Sequence, residues 1–167
     1  MTVMHGVIVG RVKDVNDPDG EGKVQVEFEW MGGTNKHHWA PVATLMSGGG
    51  RGSWFMPEVG DEVLVAFDRG QVDYPFIVGY LWNGAQRPPS TDPNLRLIRS
   101  VNGHEIAIYD PGVSGGDAGY IRIKDAHQNM IELSNSQVVI SSIGAITINA
   151  PSVTINGRLV APLGKPI

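Results

Sequence analysis

The sequence predicts an all-β protein in which a small closed barrel is followed by a ladder of short strands. The first observation is composition, because 22 Gly and 11 Pro among 167 residues interrupt helices and supply turns. The second is that apolar and polar residues alternate through many short segments, which is the period of a strand with one buried face. The third is the absence of Cys, so stability must come from burial and association rather than from disulfides.

Five strands are predicted in the first half, each ended by turn residues: 5–15, 23–30, 37–44, 61–68 and 74–82. The apolar residues of the second strand are predicted to share one face: Val24, Val26, Phe28 and Trp30. The loop 16–22, "NDPDGEG", has the composition of a tight turn and predicts a hairpin. Five strands within about 80 residues suit a closed barrel of the OB type.

Two further segments organise the chain into domains. The stretch 45–60 is Gly-rich at its start and apolar at its centre, so it is too long for a hairpin turn and too apolar for a free linker. The stretch 83–94, "NGAQRPPSTDPN", is rich in Pro and small polar residues, which form few stable contacts and mark a boundary. We therefore expect an OB domain at 1–87, a linker at 88–97 and a second domain at 98–167.

The second half has a shorter and more regular rhythm. An Asn-Gly pair between two strand-like runs predicts a hairpin within 98–110. Beyond it, pairs of apolar residues recur whose first members are 10, 7, 8 and 7 residues apart. A period of about eight residues predicts a stacked β-helix, in which each repeat relies on its neighbours. The pairs are Ile121 with Ile123, Ile131 with Leu133, Val138 with Ile140, Ile146 with Ile148, and Val153 with Ile155.

A single ribbon of such strands cannot enclose its own apolar row. Three copies wound about one axis would bring three rows into a shared interior, so these ten paired residues are the predicted core of a homotrimeric, intertwined triple-stranded β-helix. The low charge agrees, because Glu132 is the only Asp, Glu, Lys or Arg between Ala126 and Gly157, and solvated surfaces normally carry more charge. The alternative is a single-chain sandwich in which the strands pack on the first domain.

No residue pattern in the chain predicts chemistry. His37 and His38 are adjacent on a strand, so they point to opposite faces and cannot readily share one ion. The segment 47–52, "SGGGRG", lacks the Lys and the strand-to-helix context of a phosphate-binding loop. Nucleophile elbows, zinc-protease motifs and paired carboxylates are not found. We expect no enzymatic activity, no cofactor and no bound metal.

Nucleic-acid binding is the competing function for an OB barrel. Four aromatic residues could stack on bases: Trp30, Trp39, Trp54 and Phe55. Residues 1–82, however, contain 11 Asp and Glu against 6 Lys and Arg. That net negative charge would repel the phosphate backbone, whose neutralisation supplies most of the affinity for nucleic acid. We therefore expect no nucleic-acid partner.

Three segments of the first half carry a family resemblance: "GVIVGRVKDVNDPDGEGKVQVEFEW", "HHWAPVATLMSGGGRGSWFMPEVGDEVLVAF" and "PFIVGYLWNGAQRPP". They resemble the OB domain of contractile injection system spikes, a family that includes phage baseplate assembly protein V and the VgrG spike of type VI secretion. The most specific part is Arg51 to Phe67, and the final "TINGRLVAPLGKPI" is similar to the end of short spikes. The resemblance implies a homotrimer with a collar of OB domains and a β-helix that narrows toward the C-terminus.

The resemblance also implies partners. The chain begins at the OB domain, without the hub region or lysozyme domain of larger relatives, so a separate hub protein is expected. Arg51, Trp54 and Phe55 are expected to contact either this hub or the barrel of a neighbouring copy. No His-x-His iron motif follows His127, and the apolar end is expected to seat a PAAR-type tip protein. The expected tip residues are Leu159, Val160, Leu163, Pro166 and Ile167. Effectors are further expected partners, and the target membrane is contacted only transiently.

The implied function is that of a structural central spike which pierces a target envelope and carries a tip protein. The apparatus could be a phage tail baseplate, a type VI secretion system or an extracellular injection particle. Two alternatives are an effector-loading adaptor of a secretion apparatus and an OB module that binds nucleic acid or sugar. The N-terminal "MTVMHGVIVG" lacks the features of a secretory signal, so we expect synthesis in the cytoplasm followed by assembly into a tail or particle.

Overall fold

The computed structural model describes residues 4–31, 36–112, 116 and 118–160, and the chain divides into two units at residues 1–88 and 89–167. Both units are built from antiparallel strands, which confirms the predicted all-β class. Within the described residues, no helix is long and apolar enough to cross a membrane. Strand β8 begins at Leu95, so Leu95 to Leu97, which were predicted to belong to the linker 88–97, are part of a strand.

The first unit contains a five-stranded barrel, whose strand order is β3-β2-β1-β6-β7. Its strands are β1 (Val7–Asp14), β2 (Lys23–Glu27), β3 (His37–Pro41), β4 (Ser47–Gly48), β5 (Arg51–Gly52), β6 (Glu62–Phe67) and β7 (Pro75–Leu81), of which β4 and β5 form a separate small hairpin. The barrel closes where Val42 forms a parallel bridge with Ile77 and the Ala43 N–H donates to the Ile77 carbonyl at 2.8 Å. This topology confirms the predicted OB-type barrel.

Alternate residues of these strands fill the barrel interior because successive side chains point to opposite faces of a strand. The buried core consists of Val12, Val24, Val26, Phe28, Ala40, Val63, Val65, Phe67 and Ile77. Gly10 belongs to this packing as well, since a Cβ at that position would collide with Val26 and lie 3.2 Å from the Phe28 ring. Close packing of this kind leaves no room for an added methyl group.

The predicted apolar face of the second strand is correct for three of its four residues. Val24, Val26 and Phe28 are fully buried, whereas Trp30 is exposed. The reason is that β2 ends at Glu27 and the chain turns immediately afterwards, with the Met31 N–H donating to the Phe28 carbonyl at 3.1 Å. The regular alternation of a strand therefore stops before it reaches Trp30.

The second unit is an antiparallel meander in which each strand pairs with the next, in the order β12-β11-β10-β9-β8. Its strands are β8 (Leu95–Arg99), β9 (Glu105–Tyr109), β10 (Tyr120–Lys124), β11 (Met130–Ser134) and β12 (Gln137–Ser141), followed by a small hairpin of β13 (Thr154–Ile155) and β14 (Arg158–Leu159). The Asn-Gly turn between β8 and β9 forms the predicted hairpin. This sheet is paired within one chain.

Candidate functional site: the apolar face of the second sheet

The register of the second sheet aligns apolar side chains in two rows that cross all five strands. Residues directly opposite each other in an antiparallel pair lie on the same face of the sheet. The first row consists of Ile98, Ile106, Ile123, Ile131 and Ile140. The second row consists of Arg96, Ile108, Ile121, Leu133 and Val138. We call the nine Ile, Leu and Val residues of these rows the apolar face.

The apolar face is open to solvent in the single chain. Its nine side chains retain between 43% and 68% of their accessible surface. The one buried apolar residue of this sheet, among those described, is Ala107, at 3% exposure, and it lies on the opposite face. Monomeric proteins rarely leave a contiguous apolar patch of this kind uncovered, and such patches mark sites of association.

The opposite face, which we call the polar face, carries most of the polar side chains of this sheet, and several of them contact one another. It also contains Leu95, Leu97, Ala107, Met130 and Val139. The rings of Tyr109 and Tyr120 stack with centroids 5.3 Å apart, and the Arg122 guanidinium lies 4.0 Å above the Tyr120 ring. Arg122 also pairs with Glu132 at 2.6 Å. The hydrogen bond from Ser134 and the pairing with Arg122 lower the pKa of the Glu132 carboxyl, so Glu132 stays ionised. The charges of Arg122 and Glu132 are therefore paired within the single chain.

The structure brings six of the ten predicted core residues together on the apolar face: Ile121, Ile123, Ile131, Leu133, Val138 and Ile140. The remaining four follow β12. Within the described part of the chain, residues 142–153 adopt no regular secondary structure, and Ile146 and Ile148 lie in that segment with exposed side chains. Val153 is half-buried and precedes β13, whereas Ile155 is exposed within it.

The predicted tip is described only in part. Leu159 and Val160 are exposed at the end of the β13 to β14 hairpin, where the Val160 N–H donates to the Val153 carbonyl at 2.7 Å. Leu163, Pro166 and Ile167 lie outside the described residues. Two apolar side chains are therefore presented at the end of the described chain.

The residues predicted to contact a hub or a neighbouring barrel lie on and beside the small hairpin of the first unit. Arg51 belongs to β5, and Trp54 and Phe55 follow it with 72% and 59% of their surfaces exposed. The Tyr80 hydroxyl donates to the Phe55 carbonyl at 2.7 Å and fixes this segment to β7, while burial raises the pKa of Tyr80. Exposed Leu45 and Met46 adjoin the same hairpin, so the segment presents four large apolar side chains.

Sequence reasoning missed three apolar residues and one charged residue of the second sheet: Ile98, Ile106, Ile108 and Arg96. The alternation in "RLIRSVNGHEIAIYD" could have revealed the first three, but the long loop before Tyr120 breaks the regular period.

The structure also contains no group of three or more His, Asp or Glu that could hold a metal, as far as its described residues go.

Comparisons with known families match both units. Residues 8–82 match the model of the type VI secretion system and phage-baseplate injector OB domain. Residues 96–160 match the model of the phage baseplate V C-terminal trimerisation domain. The second match therefore covers every residue of the apolar face.

Similar curated proteins include spikes of Pseudomonas aeruginosa. The chain is 28% identical to the type VI secretion system spike protein VgrG1a over 141 residues, which are 75% of this chain and 22% of that protein. It is 33% identical to the spike protein VgrG5 over 123 residues, 71% of this chain and 15% of that protein. It is also 32% identical to the actin cross-linking toxin VgrG1 of Vibrio cholerae over 79 residues, 45% of this chain and 7% of that protein. The chain thus spans less than a quarter of each of these relatives.

Proposed function

Because this chain belongs to the family of phage-baseplate and type VI secretion spike proteins, we propose that it is the homotrimeric central spike of a contractile injection apparatus. The observation that carries the proposal is the apolar face, on which nine Ile, Leu and Val side chains of one sheet remain exposed. Covering the remaining half of such a side chain is worth roughly 1 kcal/mol, from the 1.5–3 kcal/mol of complete burial. Nine such residues on one face provide a substantial driving force for association.

Three copies rather than two are favoured by the trimerisation-domain match at residues 96–160. In this arrangement the three apolar faces turn toward a common axis, and the polar faces with their Tyr, Arg and Glu contacts remain in solvent. The exposed Ile146 and Ile148 extend the same core toward the C-terminus, where the irregular segment 142–153 takes strand partners from neighbouring chains. The ten predicted core residues are then all interior.

The function of such an assembly is mechanical and requires no chemical reaction. Axial load on the trimer is spread over many backbone hydrogen bonds, which are individually modest but collectively resistant. Trp54 and Phe55 of the first unit dock on a hub protein, and Leu159 and Val160, with the residues that follow them, seat a PAAR-type tip protein. The spike pierces the target envelope when the apparatus contracts.

A second candidate is a carrier that brings effectors to a secretion apparatus. The name of one relative, an actin cross-linking toxin, shows that a matching segment occurs in a protein with toxin activity. Deleting Leu159 to Ile167 separates the two candidates. The spike model expects a trimer that no longer binds a PAAR-type protein, whereas a carrier whose cargo binds elsewhere keeps its cargo.

The test of the spike model is the solution mass of the purified chain, measured by light scattering over a tenfold range of concentration. We expect a constant mass of three times 18.0 kDa. Ile140→Asp places a charge in the apolar face and should yield monomers. The matched control is Ser141→Asp, one residue further along the same strand on the opposite face, and it should remain trimeric. A monomeric wild-type chain would overturn the model, and a dimer would replace the three-sheet core with a two-sheet sandwich.

A further inference from the structure

One charged residue interrupts the apolar rows of the second sheet. Arg96 of β8 lies opposite Ile108 of β9 and therefore occupies, in the second row, the place that Ile, Leu or Val holds on every other strand. Its guanidinium is 3.0 Å from the Asp110 carboxylate, and the same nitrogen donates to the Asn94 carbonyl at 3.0 Å. The row is therefore charged at the β8 end and apolar at the β12 end.

Asp110 adjoins Arg96 because the backbone holds it there. Its N–H donates to the Asn94 carbonyl at 3.0 Å, and alternation after Tyr109 places it on the same side of the sheet as Arg96. The two side chains are 61% and 64% exposed. An ion pair this exposed contributes little to the stability of an isolated chain. The stability of the single sheet therefore does not explain why the pair lies at the end of the apolar rows.

The apolar rows by themselves do not define how copies align along the axis. One row is Ile on all five strands, so moving one copy by a single strand spacing, about 4.8 Å, places Ile against Ile again. Contacts between identical Ile rows therefore do not distinguish one alignment of the copies from the next. A polar residue at one place in an apolar interface is an effective device for fixing register and partner number.

We propose that Arg96 and Asp110 determine the alignment of the chains in the trimer. This inference rests on the proposed function. When the apolar faces meet, the three ion pairs come together as a ring at the β8 end of the core, and each Arg96 also faces the Asp110 of a neighbouring copy. A copy displaced by one strand would place its Arg96–Asp110 pair against the Ile side chains of its neighbours, so the pair would lose solvent without gaining the charges of a neighbouring pair. Correct alignment is thus enforced by the penalty on the misaligned forms.

The test mixes the wild-type chain with the charge-inverted variant R96D/D110R. Inversion preserves the composition and mass, so one of the two chains is isotopically labelled, and the trimers formed on co-refolding are counted by native mass spectrometry. Random mixing would make roughly three quarters of all trimers hybrid. Hybrid trimers place like charges side by side in the ring, so we expect them to be depleted at least about fivefold.

The matched control is R99E/E105R, because Arg99 and Glu105 form an ion pair between β8 and β9, at 2.6 Å, on the polar face. Its chains should mix with wild type at random.

If R96D/D110R fails to assemble by itself, R96E/D110K provides the same inverted ring, and failure of both overturns the proposal because a ring of pairs tolerates inversion. Random mixing of R96D/D110R into wild-type trimers overturns the proposal but leaves the spike model intact. A monomeric wild-type chain overturns both.

Discussion

Each unit contains a five-stranded antiparallel sheet with one apolar face, but only the first unit covers that face with its own chain. The sheet of the first unit curls until Val42 bridges Ile77, and nine of its apolar residues are buried in the enclosed space. The sheet of the second unit remains open, and its nine apolar residues of comparable size stay at the surface. The comparison teaches that alternation specifies an apolar face but not what covers it, since a face can be covered by its own chain or by another copy.

The largest loss of stability in the first unit, whose apolar face is covered by its own chain, is expected from Phe28→Ala. Phe28 is fully buried and its ring packs at 5.6 Å from that of Phe67, so truncation should cost about 3–5 kcal/mol of barrel stability. The measurement is chemical denaturation monitored by Trp fluorescence at two protein concentrations. The loss should be the same at both concentrations, and a dependence on concentration would mean that the barrel also relies on other copies.

A smaller effect is expected when the barrel is overpacked. Gly10→Ala forces a Cβ into Val26 and against Phe28, and overpacking of a filled core costs typically about 1–3 kcal/mol. Gly84→Ala is the matched control, because a Cβ there meets no atom within 4 Å. Equal denaturation midpoints for the two variants would contradict the close packing on which the contrast between the units depends.

Acid should weaken the first unit through Glu27. Hydrogen bonds from Lys13, at 2.7 Å, and Lys36, at 2.9 Å, lower the pKa of the Glu27 carboxyl from 4.5 to about 2. Because the folded pKa is depressed, the contribution is complete above about pH 4.5 and is lost as the pH falls toward 2. Denaturation midpoints of Glu27→Gln should therefore fall less than those of wild type across that range. Parallel profiles would exclude Glu27 as a source of the acid sensitivity.

The smallest effect on stability is expected at the exposed hairpin of the first unit. Trp54 keeps 72% of its surface exposed, and surface substitutions usually change stability by less than about 0.5 kcal/mol. Trp54→Ala should leave the barrel midpoint unchanged and weaken the pull-down of a hub protein. A large loss of stability would assign Trp54 to the barrel core rather than to a docking surface.

Most of the fold could be predicted from the sequence, because its signals are local. Turn residues such as those of 16–22 and the Asn-Gly pair at 102–103 bound each strand, and alternation identifies the faces. The exposure of Trp30 could not be predicted, because the turn that follows Glu27 does not interrupt the alternation of apolar and polar residues in the sequence. The start of strand β8 could not be predicted, because Leu95 follows directly on a Pro-rich stretch.

The candidate site could be predicted only in part, because its geometry depends on strand register. Ile121, Ile123, Ile131 and Leu133 are two residues apart within their strands, so their shared face is readable from the sequence. The place of Arg96 in the same row is not, since it depends on how the five-residue connection between Arg99 and Glu105 aligns β8 with β9. A change of one residue in that connection would move Arg96 to the other face.

The open sheet has a consequence for how the protein is made. Strands β8 and β12 are its two edges, and a newly synthesised chain that has folded but has not met its partners carries both edges beside an uncovered apolar face. Such edges are templates for unlimited edge-to-edge polymerisation. Assembly of the proposed trimer ends at three chains, whereas polymerisation has no end point, so the two processes compete for newly made chains and their relative rates determine the yield of trimer. Slow expression at low temperature should favour the closed product.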